Sequence, residues 1–123
     1  MMAKQQRDEA REERILMEIV VDAYGPQERA LGWYVYLEEV LNFPFLARCQ
    51  QRRAISPLQV GDEVEIIGMA PEAECEHELF VMMRWEREGL GVPLSQLAVV
   101  HADEQTQQAV ADWHYWVEQG YQF

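Results

Sequence analysis

Hydrophobic positions along the chain fall into three patterns in succession. From Ile15 the spacing is helical, with Ile15, Leu16, Ile19, Val20, Ala23 and Tyr24 on one face and Gly25-Pro26 as its stop. A second helical stretch, from about Gln27 to Leu41, carries Ala30, Tyr34, Leu37 and Leu41 as a stripe with Trp33 beside it. Pro44 closes this stretch, because the residue before proline is driven into extended backbone. The middle alternates. Phe43, Phe45, Ala47 and Cys49 share one side of a first strand, and Gly61-Asp62 turns into a second in which Val64, Ile66 and Gly68 alternate with Glu63, Glu65 and Ile67. "ELFVMMRWE" predicts a third strand, "REGLG" a hairpin turn, and "GVPLSQLAVV" two strands split by a short turn at Ser95-Gln96. The last segment is helical again. Asp103 caps it, Glu104 sits in its first turn, Val110, Trp113, Trp116 and Val117 form its apolar face, and Gly120 ends it.

Five short strands with helices at both ends predict an α+β fold, a small SH3-like β-barrel flanked by N-terminal and C-terminal helices. Residues 1–14 are polar all round and are expected to be a flexible N-terminus, leaving 15–123 as a single domain. Trp33, Trp85, Trp113 and Trp116 are expected to anchor the core.

Composition narrows the function. The chain has 123 residues with 49% hydrophobic and 11% aromatic content, enough for a packed core. Its net charge is −12. The four basic and four acidic groups of residues 1–14 cancel, so the whole excess comes from residues 15–123, with six arginines against eighteen acids. Such a balance disfavours nucleic acid and anionic membrane surfaces as partners. No apolar stretch is long enough for a transmembrane helix, and the N-terminus has no apolar signal core, so the expected location is cytoplasmic. Cys49 and Cys75 are too few for a disulfide scaffold and are expected to be reduced, partly buried thiols.

Chemistry concentrates in "MAPEAECEHELF", where Glu72, Glu74, Glu76 and Glu78 recur at every second position. On an extended segment they would line one edge, with like charges about 7 Å apart, tolerable in a wet loop or around a divalent ion. Cys75 and His77 make one weak pair, short of the two close pairs usual in a zinc site. Glu38 and Glu39 form a second cluster in the last turn of the second helix. Negative charge there opposes the helix dipole, while a cation would be favoured by the carboxylates and the free end carbonyls. Asp62, Glu63, Glu65, Asp103 and Glu104 are second-tier candidates, having turn and cap roles already. No EF-hand loop, P-loop, nucleophile elbow or zinc-protease motif occurs, so no enzyme activity is expected. His114, between Trp113 and Tyr115, is expected to be a packing or surface residue.

The strings "GWYVYLEEVLNFPFLARC", "RAISPLQVGDEVEIIGMAPEAECEHELFVMMRWE", "VPLSQLAVV" and "ADEQTQQAVADWHYWVEQGYQF" together resemble the cyanobacterial calcium-binding protein family CcbP, over about residues 11 to 123. The resemblance implies a cytoplasmic Ca²⁺ binder without EF-hands, acting as an intracellular buffer or sensor and, in filamentous species, linked to heterocyst formation. It implies metal ligands among Glu38, Glu39, Glu72, Glu74, Glu76 and Glu78. The alternative from a different class is an acidic interaction module that docks a basic partner.

Overall fold

The computed structural model describes residues 8–21, 23–85 and 89–120. Helix α1 (Glu9–Glu18) is followed by α2 (Pro26–Val40), strands β1 (Phe45–Cys49), β2 (Glu63–Met69), β3 (Phe80–Met83), β4 (Leu90–Pro93) and β5 (Leu97–His101), and helix α3 (Glu104–Glu118). Single 3-10 turns occupy Glu72–Cys75 and Leu94–Gln96. Gly25-Pro26, expected to stop the first helix, starts α2 instead, since α1 already ends at Glu18. Gly25 is the extended N-cap and Pro26 takes the first helical position, where its missing N–H costs nothing.

The strands form one antiparallel sheet in the order β4-β3-β2-β1-β5. Phe45 pairs with Ile66, Ala47 with Val64 and Val99, and Val81 with Val92. The alternation expected of the first strand is present, with Phe45, Ala47 and Cys49 all buried. The barrel expected from the strand count is not closed. β4 and β5 follow each other in sequence but sit at opposite edges, with no ladder between them. Their junction spends its backbone groups elsewhere: Leu94 N–H donates to Leu79 O at 2.9 Å, and Gln96 O accepts from Gln50 N–H at 2.9 Å. Pro93, which lacks an N–H, ends β4. The hairpin turn expected at 87–91 lies partly outside the described residues, but Gly89 has φ 91°, which suits a turn glycine.

The core joins α2 to α3. Trp33 is fully buried, its ring 5.1 Å from Trp113 and 5.8 Å from Trp116 between centroids, edge-on to the first and tilted to the second. Trp85 does not join them. It is 47% exposed just past the end of β3. Three other apolar expectations also fail: Leu16 is exposed on the outer side of α1, Tyr24 is exposed because the first helix ends at Glu18 before completing the predicted stripe, and Val117 is exposed near the end of α3.

The first helix begins at Glu9, six residues before the point at which the apolar pattern starts. Its early residues are held by polar contacts. The Asp8 side chain accepts from Arg11 N–H at 3.0 Å and caps the helix. Arg14 donates two hydrogen bonds, at 2.6 and 2.9 Å, to the carboxylate of Asp112, and Arg11 Nε lies 3.2 Å from the same group. Asp112 is fully buried on the inner face of α3. The Tyr115 hydroxyl donates to Glu12 at 2.8 Å and accepts from Asp8 N–H at 3.0 Å. The polar first half of α1 is thus docked through charge, which hydrophobic periodicity does not register. The flexible segment expected at 1–14 therefore gives way from Asp8 onward to a helix docked on α3, and residues 1–7 lie outside the described residues.

Gly32 lets α2 cross the end of that first unit. A Cβ there would stand 2.5 Å from Ile19 O, a backbone atom that cannot swing aside. Two stability predictions follow from these contacts. Asp112→Ala leaves two guanidinium groups without their acceptor and is expected to cost about 2–3 kcal/mol in urea denaturation. Gly32→Ala gains about 1 kcal/mol of helix propensity but forces the crossing apart, so a net loss of roughly 1–2 kcal/mol is expected in the same assay.

Candidate metal centre

Two segments distant in sequence meet where α2 packs on the 3-10 turn at Glu72–Cys75. Tyr34 stands at the junction. It is buried, and its hydroxyl donates to Ala70 O at 2.7 Å. Its pKa is raised, first by burial and then by the charges of Glu38, Cys75 and Glu72. One carboxylate from the last turn of α2 and one from the 3-10 turn therefore act on the same tyrosine. Glu38 reaches that side because it follows Tyr34 by four residues, one helical turn. A cleft of about 400 Å³ opens beside the tyrosine, with Gln27, Leu31, Tyr34, Glu72, Cys75 and Glu76 in its walls.

The four alternating glutamates do not line one edge. Pro71 precedes a 3-10 turn, and Glu76 continues it in helical backbone with φ −72° and ψ −29°. Helical geometry turns successive residues by about 100°, so alternate positions diverge while i and i+4 converge. Glu72 and Glu76 accordingly both line the cleft. Glu74 points elsewhere, its Oε1 3.9 Å from the place a Cβ on Gly91 of β4 would occupy. The divergence relieves the like-charge repulsion that a straight row would impose. Cys75 is the buried anchor of the turn, its sulfur 3.4 Å from Phe80 N, which donates to it.

Glu78 leaves the group altogether. Its carboxylate accepts from both terminal nitrogens of Arg53, at 2.6 and 2.9 Å, and from the Ser95 hydroxyl at 3.0 Å. Burial alone would raise the Glu78 carboxyl. The hydrogen bonds from Arg53 and Ser95 and the guanidinium charge outweigh that and hold it below its ordinary value of 4.5.

Glu38 and Glu39 are both exposed on the last turn of α2. Adjacent helical residues do not face each other, so Glu38 lies on the ridge of Tyr34 and Glu39 on the ridge of exposed Val35. Beyond them, Asn42 N–H donates to Thr106 Oγ1 at 2.9 Å, and the Asn42 amide donates to Asp103 Oδ2 at 3.3 Å. The second-tier carboxylates mostly have partners. Glu63 pairs with Arg48 at 2.6 Å, Glu65 with Arg84, Asp62 accepts from Gln59 N–H at 2.9 Å, and Asp103 accepts from Thr106 N–H at 2.8 Å. Glu104 occupies the first turn of α3.

A sorting of the acids results. Among the described residues, arginines engage Glu63, Glu65, Glu78 and Asp112, whereas Glu38, Glu39, Glu72, Glu74 and Glu76 have no ion pair. Of these five, Glu72 and Glu76 line the Tyr34 cleft, and Glu38 lies one helical turn beyond Tyr34 on α2. The donor set is carboxylate oxygen, which suits a hard cation such as Ca²⁺. No three His, Cys, Asp or Glu side chains among the described residues stand close enough to form a ready-made cage. The zinc reading finds no support here. Cys75 is buried with its thiol pKa raised by burial, while His77 is exposed. His114 is half-buried, its Nε2 2.6 Å from Leu97 O, with its pKa lowered by desolvation. Tyr34 was the residue the sequence pattern hid, because its place in the apolar stripe of α2 accounted for it fully.

The fold, an open five-stranded sheet with three α-helices among the described residues, is that of a calcium-binding family. A family model described as calcium binding, CcbP, matches residues 13–117, and the chain belongs to that family. It is similar to the crystal structure of CcbP from Anabaena, with 40% identity, a TM-score of 0.86, and coverage of 99% of this chain and 100% of that one. It is also similar to a calcium-binding protein solved in its calcium-binding form, with 39% identity, a TM-score of 0.85 and the same coverage. A comparison with curated proteins returned no match.

The Glu78 cluster generates a pH prediction. A carboxyl whose folded pKa is depressed contributes its full stability above the unfolded value and loses it as pH falls through the folded one. Glu78→Gln is expected to lower stability near neutral pH by about 1–3 kcal/mol. Variant and wild type should then converge as the pH drops below the usual carboxylate range. Denaturant midpoints measured across that range give the comparison, and parallel curves would contradict it.

Proposed function

We propose that this protein binds Ca²⁺ in the cleft between α2 and the Glu72–Cys75 turn, as an intracellular buffer or sensor without an EF-hand. The observation that carries the reading is the joint action of Glu38 and Glu72 on the Tyr34 hydroxyl. Family membership and the likeness to a protein solved in its calcium-binding form support it. Glu38, Glu72 and Glu76 are the principal ligands in this proposal. Glu39 and Glu74 add negative potential from its margins. Glu78, held by Arg53 and Ser95, fixes the loop that follows the turn.

The mechanism is electrostatic. In the free protein the unpaired carboxylates are kept apart by mutual repulsion and by water. Calcium replaces that water and relieves part of the −12 charge. A site built from side chains on two separate segments is adjustable, which suits the flexible six-to-eight-oxygen shell of Ca²⁺ better than the strict octahedron of Mg²⁺. The expected affinity is roughly micromolar to tens of micromolar. Reduced, buried Cys49 and Cys75 suit a cytoplasmic location. A non-catalytic role accords with the commitments of Ser95 to Glu78 and of His114 to Leu97 O. The strand order and the 3-10 turn before β5 suit an SH3-like arrangement with an open seam.

Calorimetric titration of chelated protein with CaCl₂, repeated over a background of MgCl₂, tests the class. Saturable binding that survives magnesium is expected. Glu38→Gln and Glu72→Gln should each weaken it by about tenfold, equivalent to about 1.4 kcal/mol. Binding unchanged in both variants would place the ion elsewhere. Tyr34 gives an independent readout. Because the two carboxylates help raise its pKa, bound calcium should lower the midpoint of its ionisation in a tyrosinate absorbance titration, and Tyr34→Phe should abolish that shift. Calcium should also stabilise the fold, by about 2.7 kcal/mol at a hundred times Kd.

A further inference from the structure

Next to the calcium cleft, on the outer side of α2, lies a second depression of about 330 Å³ lined by Val21, Ala23, Glu28, Leu31, Gly32 and Val35. Leu31 belongs to the walls of both. Val21, Leu31 and Val35 are 51%, 46% and 49% exposed. Singly exposed aliphatics need no explanation, but three around one groove present a continuous apolar surface to water. Gly32 forms part of this surface because α2 crosses the residue 19–20 backbone there too closely for any side chain.

Carboxylates bracket the apolar stripe. Along α2, Glu28 precedes Leu31 by one turn and Glu38 and Glu39 follow Val35 by one turn, all three exposed. The helix has one basic residue, Arg29, against these three acids. A second copy of the chain would bring like charges together on this face, and an anionic membrane would be repelled by it. The geometry points to a basic amphipathic polypeptide segment as the occupant. Its apolar residues, spaced one helical turn apart, would fill the groove at Leu31 and Val35, and its lysines or arginines would lie against Glu28, Glu38 and Glu39. Since Glu38 belongs to the proposed calcium site, calcium neutralises one end of the docking face. The free protein therefore holds the segment more tightly than the calcium-loaded one, a coupling that rests on the calcium reading while the docking face itself does not. By linkage, the bound segment weakens calcium affinity by the same factor.

The probe is a labelled helical peptide of lysine and leucine, with a control in which serine replaces every leucine, both titrated with the full chain in chelator and followed by fluorescence anisotropy. The leucine peptide is expected to bind well above the serine control. Leu31→Ser and Val35→Ser, both at exposed positions, should each weaken it by about tenfold, the scale of an interface anchor, and Val35→Ser, which lies outside the calcium cleft, should leave calorimetric calcium binding unchanged. Saturating CaCl₂, at constant ionic strength, should weaken wild-type binding several-fold. Equal binding of the two peptides would reduce the face to bulk charge, and wild-type binding by both variants would put the peptide on another surface. Either result overturns the docking site, as would a dimer in sedimentation that Leu31→Ser dissolves. If calorimetry shows calcium loading but the peptide stays bound, the coupling is overturned. If calorimetry shows no calcium binding at all, the calcium reading has failed, and the peptide comparison in chelator still decides the docking face.

Discussion

Two adjacent residues of α2 set the rotation of that helix, and most of the molecule depends on it. Trp33 points inward and packs against Trp113 and Trp116 of α3. Tyr34, about 100° further round, hydrogen-bonds Ala70 O, just before the acidic turn. Burying the indole is worth several kcal/mol by area, and leaving the tyrosine hydroxyl unpaired would cost about 1–3 kcal/mol. Neither contact can be kept while the helix rolls. With the roll fixed, Glu38 lies on the ridge of Tyr34, Leu31 and Val35 face outward, and Gly32 meets Ile19 O.

Periodicity located nearly every element. The second and third helices, the five strands and the 3-10 turn before β5 stand where apolar spacing, Gly61, Pro93 and the Asp103 cap put them, because each is decided by local burial and turn chemistry. The failures have two physical causes. Residues 8–14 were unreadable as structure because α1 is docked by Arg11 and Arg14 on a buried Asp112, and a charge pair leaves no apolar period. Asp112, an acid among Val110, Trp113 and Tyr115, was the visible trace of it. Closure of the sheet was unreadable for a different reason: it depends on whether two edge strands meet, and strand count does not determine that.

The candidate site was legible in composition and only partly in geometry. Glu38 and Glu72 were both nominated, one for its unfavourable place at a helix end and one for its place in a glutamate run. What sequence spacing lacked was the backbone of that run. Taken as extended, it gave four equivalent carboxylates. As a 3-10 turn it gives three environments, with Glu72 and Glu76 on the cleft, Glu74 over β4 and Glu78 against Arg53. Pro71 and the small residues Ala70 and Ala73 were the available signal for a turn.

The distribution of arginine separates structure from function in this acidic chain. An acid that the fold needs in place is given a guanidinium, as Asp112 is by Arg14, Glu63 by Arg48 and Glu78 by Arg53. Such pairs are fixed in geometry and are not available to an ion without first being broken. Among the described residues, Glu72 and Glu76 of the Tyr34 cleft and the nearby Glu38 have no such partner, so their repulsion is carried by the folded state as an unfavourable term. At the proposed site a divalent ion would relieve that term directly, and magnesium's reluctance to shed water would favour calcium there. The proposed basic segment would draw on neighbouring unrelieved charge along α2, and Glu38, common to both acidic groups, is the residue through which the proposed ion and partner would be coupled.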